Sequence, residues 1–305
     1  MQRPRPTPDL RFVFHPESDA AYRHFEGHES VPFDAGAAHV TRAHAWWLAD
    51  AALLTYWDPG AAVARFAAAG LTAELIEGGE TQLYVAFSAG AVLVVFRGTE
   101  ADRFADMFDN AQFGLVPWEH GPGSVHQGFK GALERVWDRL AGRLAPLAGT
   151  RTVWFGGHSL GAALATLAAA RYPRTAGVST IASPRVGDRV FAAAFDTRFG
   201  DRSLRYEHDA DIVTHIPPAL PPPFALPYEH VGQLRHIGPD GRITTQPPVL
   251  AHFVRDIFGD VGHLQEVVRA LKTGLVRRAP DFLLDHMPRG YAVDIWNDLD
   301  ANGPT

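Results

Sequence analysis

The chain has 305 residues, of which 46% are hydrophobic and 20% charged, and its formal net charge is −6 at pH 7. Such a composition is typical of a globular protein long enough to bury a sizeable core, and the acidic balance argues against nucleic acid as a partner. The absence of cysteine excludes disulfides, a thiolate nucleophile and cysteine-ligated metal sites.

The N-terminal stretch, residues 1–40, is punctuated by Pro and Gly, which predicts an irregular arm. It lacks the apolar core of a secretory signal, and no run in the chain approaches the roughly 18 apolar residues that span a bilayer. We therefore expect no transmembrane segment and favour a cytoplasmic location, with secretion as the alternative.

Two helices are predicted after this arm. Apolar residues recur at helical spacing from His44 to Trp57, which predicts an amphipathic helix whose tryptophans belong to the core. Asp58-Pro59 then starts a second helix, which Gly70 ends. We expect residues 1–75 to form the arm and the helices that pack on the main body.

The next segments predict a hairpin, a lid and a long helix. The β-type runs Thr81–Phe87 and Ala91–Phe96 flank a short turn, which is typical of a hairpin. Residues 99–118 mix charges with large apolar side chains, a pattern that fits either a surface helix or a lid over an apolar site, and we favour the lid. A long helix is predicted to end near Leu147.

The strongest chemical signal lies between Arg151 and Tyr172. A β-branched and aromatic run is followed by Gly157-His158-Ser159-Leu160-Gly161 and then by an Ala- and Leu-rich segment that stops before Pro173. Strand, Gly-X-Ser-X-Gly and helix make the nucleophile elbow of serine hydrolases. Ser159 is therefore the predicted nucleophile, and the amide of Leu160, at a helix N-terminus, is a predicted oxyanion donor.

Strands and helices alternate from residue 81 to residue 215. Gly177–Ala182 and Ser203–Tyr206 are predicted strands, with a helix from Arg189 to Arg198 between them. This alternation predicts an α/β fold with a mostly parallel central sheet and helices on both faces. Residues 217–285 look like an insertion with a Pro-rich excursion, a hairpin at Pro239-Asp240-Gly241 and a helical part, and a last helix follows over Tyr291–Leu299. We see no domain boundary and expect one domain, 1–305.

A serine nucleophile needs a base and an acid that orients it, and in hydrolases with this elbow both follow the serine in the chain. Asp211 is the preferred acid because it follows a predicted strand and precedes an apolar pair. Asp209 is a close rival, and Asp188 and Asp201 are weaker candidates. Six histidines qualify as the base by chain order: His215, His230, His236, His252, His263 and His286.

Other histidines have structural interpretations. His158, beside the nucleophile, is expected to pack under the turn or bond to nearby backbone, and His126 is expected to be a structural hydrogen-bonding residue. His208 and His215 flank Asp211 without an identifiable third ligand, and a metal site would need one. We therefore expect neither a metal nor a cofactor.

From Ala91 onward the chain resembles the class 3 lipase family of the α/β-hydrolase superfamily, the fungal-type triacylglycerol lipases with bacterial and plant relatives. The matching stretches occur in the order that the family shows. They are Val94-Val95-Phe96-Arg97-Gly98-Thr99, Val125-His126-Gln127-Gly128-Phe129, the elbow at 157–161, Ser183-Pro184-Arg185-Val186-Gly187, residues 211–218, Tyr228-Glu229-His230-Val231-Gly232, and Asp285-His286 with Tyr291.

The resemblance implies that Ser159 is the nucleophile, Asp211 the acid and His286 the base. It also implies that Thr99 is the second oxyanion donor and that the segment after Thr99 is the lid. The first 80 residues match the family only loosely, and the long stretch between the acid and the base departs from it.

The expected function is that of a lipase-type serine ester hydrolase, which cleaves acylglycerol esters through an acyl-enzyme on Ser159. The expected partner is a lipid ester, with transient contact to a lipid interface through the lid, and the oligomeric state stays open. The alternatives are a phospholipase A1, a carboxylesterase for soluble esters, or a catalytically silent lipid-binding protein on the same scaffold.

Overall fold

A computed structural model describes residues 1–7, 12, 15–18, 21–98, 114–217, 227–246 and 281–305. Its centre is an eight-stranded sheet with the strand order β1-β2-β3-β6-β7-β9-β11-β12. These strands are β1 Thr72–Gly78, β2 Thr81–Phe87, β3 Ala91–Phe96, β6 Thr152–His158, β7 Thr175–Ile181, β9 Ser203–His208, β11 Gln233–Ile237 and β12 Ile243–Thr244.

The middle of this sheet is parallel and both of its edges are antiparallel. Strands β3, β6, β7, β9 and β11 pair in parallel, whereas β1 and β2 precede β3 in an antiparallel meander and β12 returns antiparallel to β11. The carboxyl ends of the parallel strands therefore share one edge, which is where α/β sheets place their ligands. The predicted α/β fold with a mostly parallel sheet is confirmed.

Helices cover both faces of the sheet. On one face lie α1 (Arg42–Leu54), α2 (Pro59–Ala68) and α7 (Pro288–Asn302), and α6 (Asp281–Leu284) comes just before α7. On the other face lie α3 (Gln127–Leu147), α4 (Leu160–Arg171) and α5 (Arg189–Phe199). Two apolar cores result, one on each side of the sheet.

The prediction that the first helix is amphipathic was wrong. Every residue of α1 from Ala43 to Leu54 is buried. The sheet lies beneath α1 and α7 packs beside it, so no side of the helix is left for water. Tryptophans at helical spacing had indicated one apolar face, but the Ala and Leu residues between them are just as apolar, which is typical of a fully buried helix.

A second sheet was not predicted. Its strands β4 (Leu115–Pro117), β5 (Ser124–His126), β8 (Gly187–Asp188) and β10 (Tyr228–Glu229) pair antiparallel in the order β10-β8-β5-β4. The last residues of the predicted lid form strand β4 and include the buried Trp118. Residues 99–113 lie outside the described residues.

Much of the predicted insertion also lies outside the described residues, namely 218–226 and 247–280. The hairpin predicted at residues 239–241 is confirmed, since β11 and β12 pair around it. However, β11 is the fifth parallel strand of the main sheet, beside β9. Residues 233–237 therefore belong to the scaffold and not to an addition on its surface.

The N-terminal strap, which we define as residues 1–5, lies along α7. The amide of Arg3 donates to Oδ1 of Asn297 at 2.7 Å, and Nδ2 of Asn297 donates to the carbonyl of Arg3 at 2.9 Å. The Arg5 guanidinium donates two bonds to the Asp294 carboxylate, at 2.8 and 2.7 Å. The strap thus covers the helix that directly follows the candidate base.

Candidate active site

The nucleophile elbow has the geometry that its glycines predict. Ser159 joins β6 to α4 with φ 58° and ψ −128°, a region that side chains rarely occupy. A Cβ on Gly157 would lie 2.4 Å from backbone atoms of Gly161, and one on Gly161 would lie 2.3 Å from the carbonyl oxygen of Phe96. Only glycine fits at either position, so the spacing of the motif follows from the tightness of the turn.

Three of the predicted residues meet at this elbow. Nε2 of His286 lies 3.0 Å from Oγ of Ser159, and Nδ1 of His286 lies 3.0 Å from each carboxylate oxygen of Asp211. The residues are 127 and 75 positions apart in the chain. All three are buried, with Asp211 fully enclosed. A base in contact with a hydroxyl, oriented by a buried carboxylate, is the arrangement that activates a serine.

The surroundings of Asp211 keep it ionised. Burial alone would raise the pKa of its carboxyl, but the neighbouring His286 and three hydrogen bonds outweigh burial and hold the pKa below its ordinary value. The bonds come from His286, from the amide of Val213 at 3.0 Å and from the hydroxyl of Tyr291 at 2.7 Å. An ionised Asp211 can hold the imidazole in one tautomer and stabilise its protonated form.

Tyr291 is fixed in this role from its other side. Its hydroxyl accepts a hydrogen bond from the amide of His208 at 2.8 Å, which directs its own proton towards Asp211. Burial and then the Asp211 charge raise the pKa of Tyr291 well above its usual value, so it remains a donor. The family resemblance included Tyr291, but nothing in the sequence indicated that its partner would be the acid.

The rival acids lie elsewhere. Oδ1 of Asp209 lies 3.4 Å from Nε2 of His236, away from the nucleophile. Asp188 caps α5 by accepting a hydrogen bond from the amide of Phe191 at 2.8 Å. The backbone carbonyl of Asp201 accepts from the amide of Val40 at 3.2 Å.

Among the rival bases, His236 contacts Asp209, and the carbonyl of His215 accepts a hydrogen bond from Arg185. Burial, and then the positive charges of Arg205 and Arg185, lower the pKa of His230 well below its usual value. His252 and His263 lie outside the described residues.

Of the two predicted oxyanion donors, one can be located. Leu160 is the first residue of α4, where backbone N–H groups have no partner within the helix. Thr99 lies outside the described residues, which end at Gly98 before that gap. Within the described ranges, no group of three His, Asp or Glu side chains converges to hold a metal, and no helix is long and apolar enough to cross a membrane.

The sequence and the fold were compared with known proteins. Residues 93–220 match the family model described as Lipase (class 3). A curated lipase from Caenorhabditis elegans, Lipase ZK262.3, is 32% identical over 41% of this chain and 38% of its own length. Phospholipase A1-II 3 from Oryza sativa subsp. japonica is 33% identical over 44% of this chain and 41% of its own length. The chain thus spans about two-fifths of these relatives.

Among solved structures, a lipase–propeptide complex from Rhizomucor miehei superposes with a TM-score of 0.50 and 25% identity, over 62% of this chain and 66% of that chain. The segment that matches the family model contains both Ser159 and Asp211. With the parallel sheet and the elbow, these findings show an α/β-hydrolase fold in which residues 93–220 are similar to the class 3 lipases.

Proposed function

We propose that this protein is a lipase-type carboxylic ester hydrolase, which cleaves acylglycerol esters through an acyl-enzyme on Ser159. One observation carries the proposal, namely the unbroken contact from Oγ of Ser159 through His286 to the buried Asp211. The family match and the relatives named as a lipase and a phospholipase A1 support lipid esters as the substrate class.

In the proposed mechanism, Nε2 of His286 takes the proton from Oγ of Ser159 as Oγ attacks the ester carbonyl carbon. The negative charge on the former carbonyl oxygen is met by the Leu160 amide and, as the family resemblance implies, by Thr99. The bond to the alcohol oxygen then breaks, and the alcohol leaves with the proton from His286. Water, deprotonated by His286, attacks the acyl carbon, and Oγ leaves with that proton while the fatty acid is released.

Replacing the nucleophile tests this proposal. We expect Ser159→Ala to lower kcat by about 10⁶-fold, because the base and the acid cannot act without the hydroxyl. The measurement is fatty-acid release from tributyrin together with labelling by a fluorophosphonate, with circular dichroism to show that the variant is folded. Retention of more than a few per cent of the activity, or labelling of the folded variant, would contradict the assignment.

Contact with a lipid interface through the segment at 99–118 is part of the proposal. The segment carries large apolar residues, among them Phe104, Phe108 and Phe113, which suit contact with lipid. We expect the rate on tributyrin to rise sharply once the substrate exceeds its solubility and forms an emulsion. A rate that saturates below that limit would instead indicate an esterase with an open site.

The rice relative, which is named a phospholipase A1, makes that activity the second candidate. Phosphatidylcholine with different acyl chains at its two positions distinguishes the candidates, because a phospholipase A1 releases the sn-1 acid. Faster turnover of this substrate than of a triacylglycerol with the same chains would favour the second candidate.

A further inference from the structure

Beside the triad lies a buried chain of polar contacts that the proposed mechanism does not use. Nε2 of His158 lies 2.9 Å from the carbonyl oxygen of His286, and Nδ1 of His158 lies 2.7 Å from the hydroxyl of Tyr56. Tyr56, His158 and His286 are all at least 95% buried, with exposed fractions of 5%, 3% and 4%. We call these contacts the Tyr56–His158 brace.

The partners of His158 determine where its proton lies. A carbonyl oxygen only accepts hydrogen bonds, so Nε2 carries the hydrogen that it donates to His286. Nδ1 then carries the lone pair, which accepts the O–H of Tyr56. Burial, and then the neighbouring His286, lower the pKa of His158 well below its usual value, which keeps this ring neutral. His158 does not take the place of His286 as the base, since Nε2 bonds to the His286 carbonyl and Nδ1 to the Tyr56 hydroxyl.

The position of the brace connects parts of the site that are distant in sequence. His158 directly precedes the nucleophile and bonds to the main chain of the base. The ring centroids of His158 and His286 lie 4.5 Å apart. Asp211 orients the ring of His286, whereas His158 links the backbone of the base to the backbone of the nucleophile.

Tyr56 extends the brace to a third segment. A Cβ on Gly98 would lie 2.0 Å from the Tyr56 hydroxyl and 2.7 Å from the carbonyl of His158, so the chain passes against both residues at that point. Gly98 directly follows Arg97, at the end of β3, and leads into the segment that carries Thr99. The Tyr56–His158 brace therefore contacts the base, the residue before the nucleophile and the end of β3.

We propose that His158 and Tyr56 are positioning residues, which set the distance between Nε2 of His286 and Oγ of Ser159 by fastening the backbone of the base to that of the nucleophile. This inference rests on the proposed function. It assigns both residues to the chemical step, because they act on the distance between Oγ and Nε2. Both are almost fully buried, which leaves little of their surface for binding substrate.

The test uses Tyr56→Phe, His158→Phe and the double variant, with a soluble p-nitrophenyl ester as substrate. Because a misplacement of about 1 Å can cost about 10²-fold in rate, we expect His158→Phe to lower kcat by about that factor with KM unchanged. Loss of one neutral hydrogen bond in Tyr56→Phe should lower kcat by roughly 5-fold. The rate of fluorophosphonate labelling should fall in parallel, since it reports the attack of Ser159 without lipid binding.

The double variant and two comparisons separate positioning from general stability. If both residues act through one chain of contacts, the double variant should be no slower than His158→Phe, whereas independent effects would multiply. His158→Gln should recover part of the rate, because its amide can still donate to the His286 carbonyl. Tyr84→Phe is the matched control, since Tyr84 is 2% exposed and lies in the core between β1 and β3.

Wild-type labelling rates in folded Tyr56→Phe and His158→Phe, with only a lower Tm, would overturn the inference, and so would multiplying effects in the double variant. If His158→Phe does not fold, Tyr56→Phe and His158→Gln decide the question by the same measurements. Labelling of Ser159→Ala would instead overturn the proposed function itself, so the two failures are distinguishable.

Discussion

Two fully buried carboxylates, Asp211 and Asp50, have pKa values displaced in opposite directions. Around Asp211, charge and hydrogen bonds outweigh burial, so its stabilising effect is present above its ordinary pKa of 3.8 and is lost as the pH falls below that value. Asp50 accepts hydrogen bonds from the Tyr22 hydroxyl and from the Phe25 amide, but burial dominates and raises its pKa to about 6. The difference lies in the partners, because Asp211 contacts His286 directly, whereas the Arg3 guanidinium acts on Asp50 from behind the Tyr22 hydroxyl.

The Asp50 carboxyl should make stability decrease as the pH rises. Its folded pKa of about 6 exceeds the unfolded value of 3.8, so the folded state binds more protons between these values and the unfolding free energy falls through that window. The full decrease in the unfolding free energy, about 3 kcal/mol, is reached above pH 6. We therefore expect Asp50→Asn to gain about 3 kcal/mol relative to wild type between pH 3.5 and pH 7, as measured by urea unfolding. A constant difference over that range would contradict the prediction.

At the residue scale, sequence reasoning identified Ser159 as the candidate nucleophile and could not separate the neighbouring acids without the family resemblance. Strand β9 was predicted to end at Tyr206 but continues to His208, so Asp209 is the first residue of the turn. The amide of Asp209 still bonds to the carbonyl of Ile237 in β11, and its side chain is 37% exposed. Asp211 lies two residues further on, fully buried. This contrast comes from pairing between strands, which a local pattern does not contain.

The elements that matter most to the site are α7 and the N-terminal strap beside it. Helix α7 carries Tyr291, which bonds to Asp211, and Asp294, whose carboxylate lies 3.1 Å from Nε2 of His208. Asp294 is 2% exposed and receives the bidentate contact from Arg5. Its pKa stays below the ordinary value although burial opposes this, because the nearby His208 and the hydrogen bonds from Arg5 outweigh burial.

Removal of the Arg5 guanidinium should therefore destabilise the protein more than its surface position suggests. We expect Arg5→Ala to lower the unfolding free energy by about 2 kcal/mol, because it leaves a buried carboxylate with a single partner. Arg23→Ala is the matched control: its contact with Glu26 is exposed on both sides, and its loss should cost less than about 0.5 kcal/mol. Equal losses in urea unfolding would show that the strap does not hold Asp294.

Helices and hairpins were the elements most readily predicted, because capping residues and turn residues are local signals. Strand β1 was missed, although β2 pairs with it along its whole length. Its sequence, Thr-Ala-Glu-Leu-Ile-Glu-Gly, has two glutamates at an edge of the sheet, where polar side chains can face water. The very short strands of the second sheet carry too few residues for any periodicity to appear.

For the whole molecule, the sheet topology explains why the site can form at all. The elbow follows β6 and the acid follows β9, so the parallel arrangement brings both to the same edge, and α7 then places Tyr291 there. Alternating strands and helices predicted this edge. They could not predict that β11 lies beside β9, because parallel pairing across a long connection depends on contacts between distant residues.

The unusual backbone of the nucleophile has a consequence for stability. At φ 58° and ψ −128°, a side chain costs about 1–3 kcal/mol of conformational strain, which glycine does not incur. We expect Ser159→Gly to be more stable than Ser159→Ala by about 1 kcal/mol after the greater freedom of unfolded glycine is subtracted. Both variants lack the hydroxyl, so thermal unfolding of the pair isolates the strain, and a less stable glycine variant would contradict it. A library randomised at this position and selected for thermal stability alone would then enrich an inactive protein, and only a selection that also demands turnover would retain the serine.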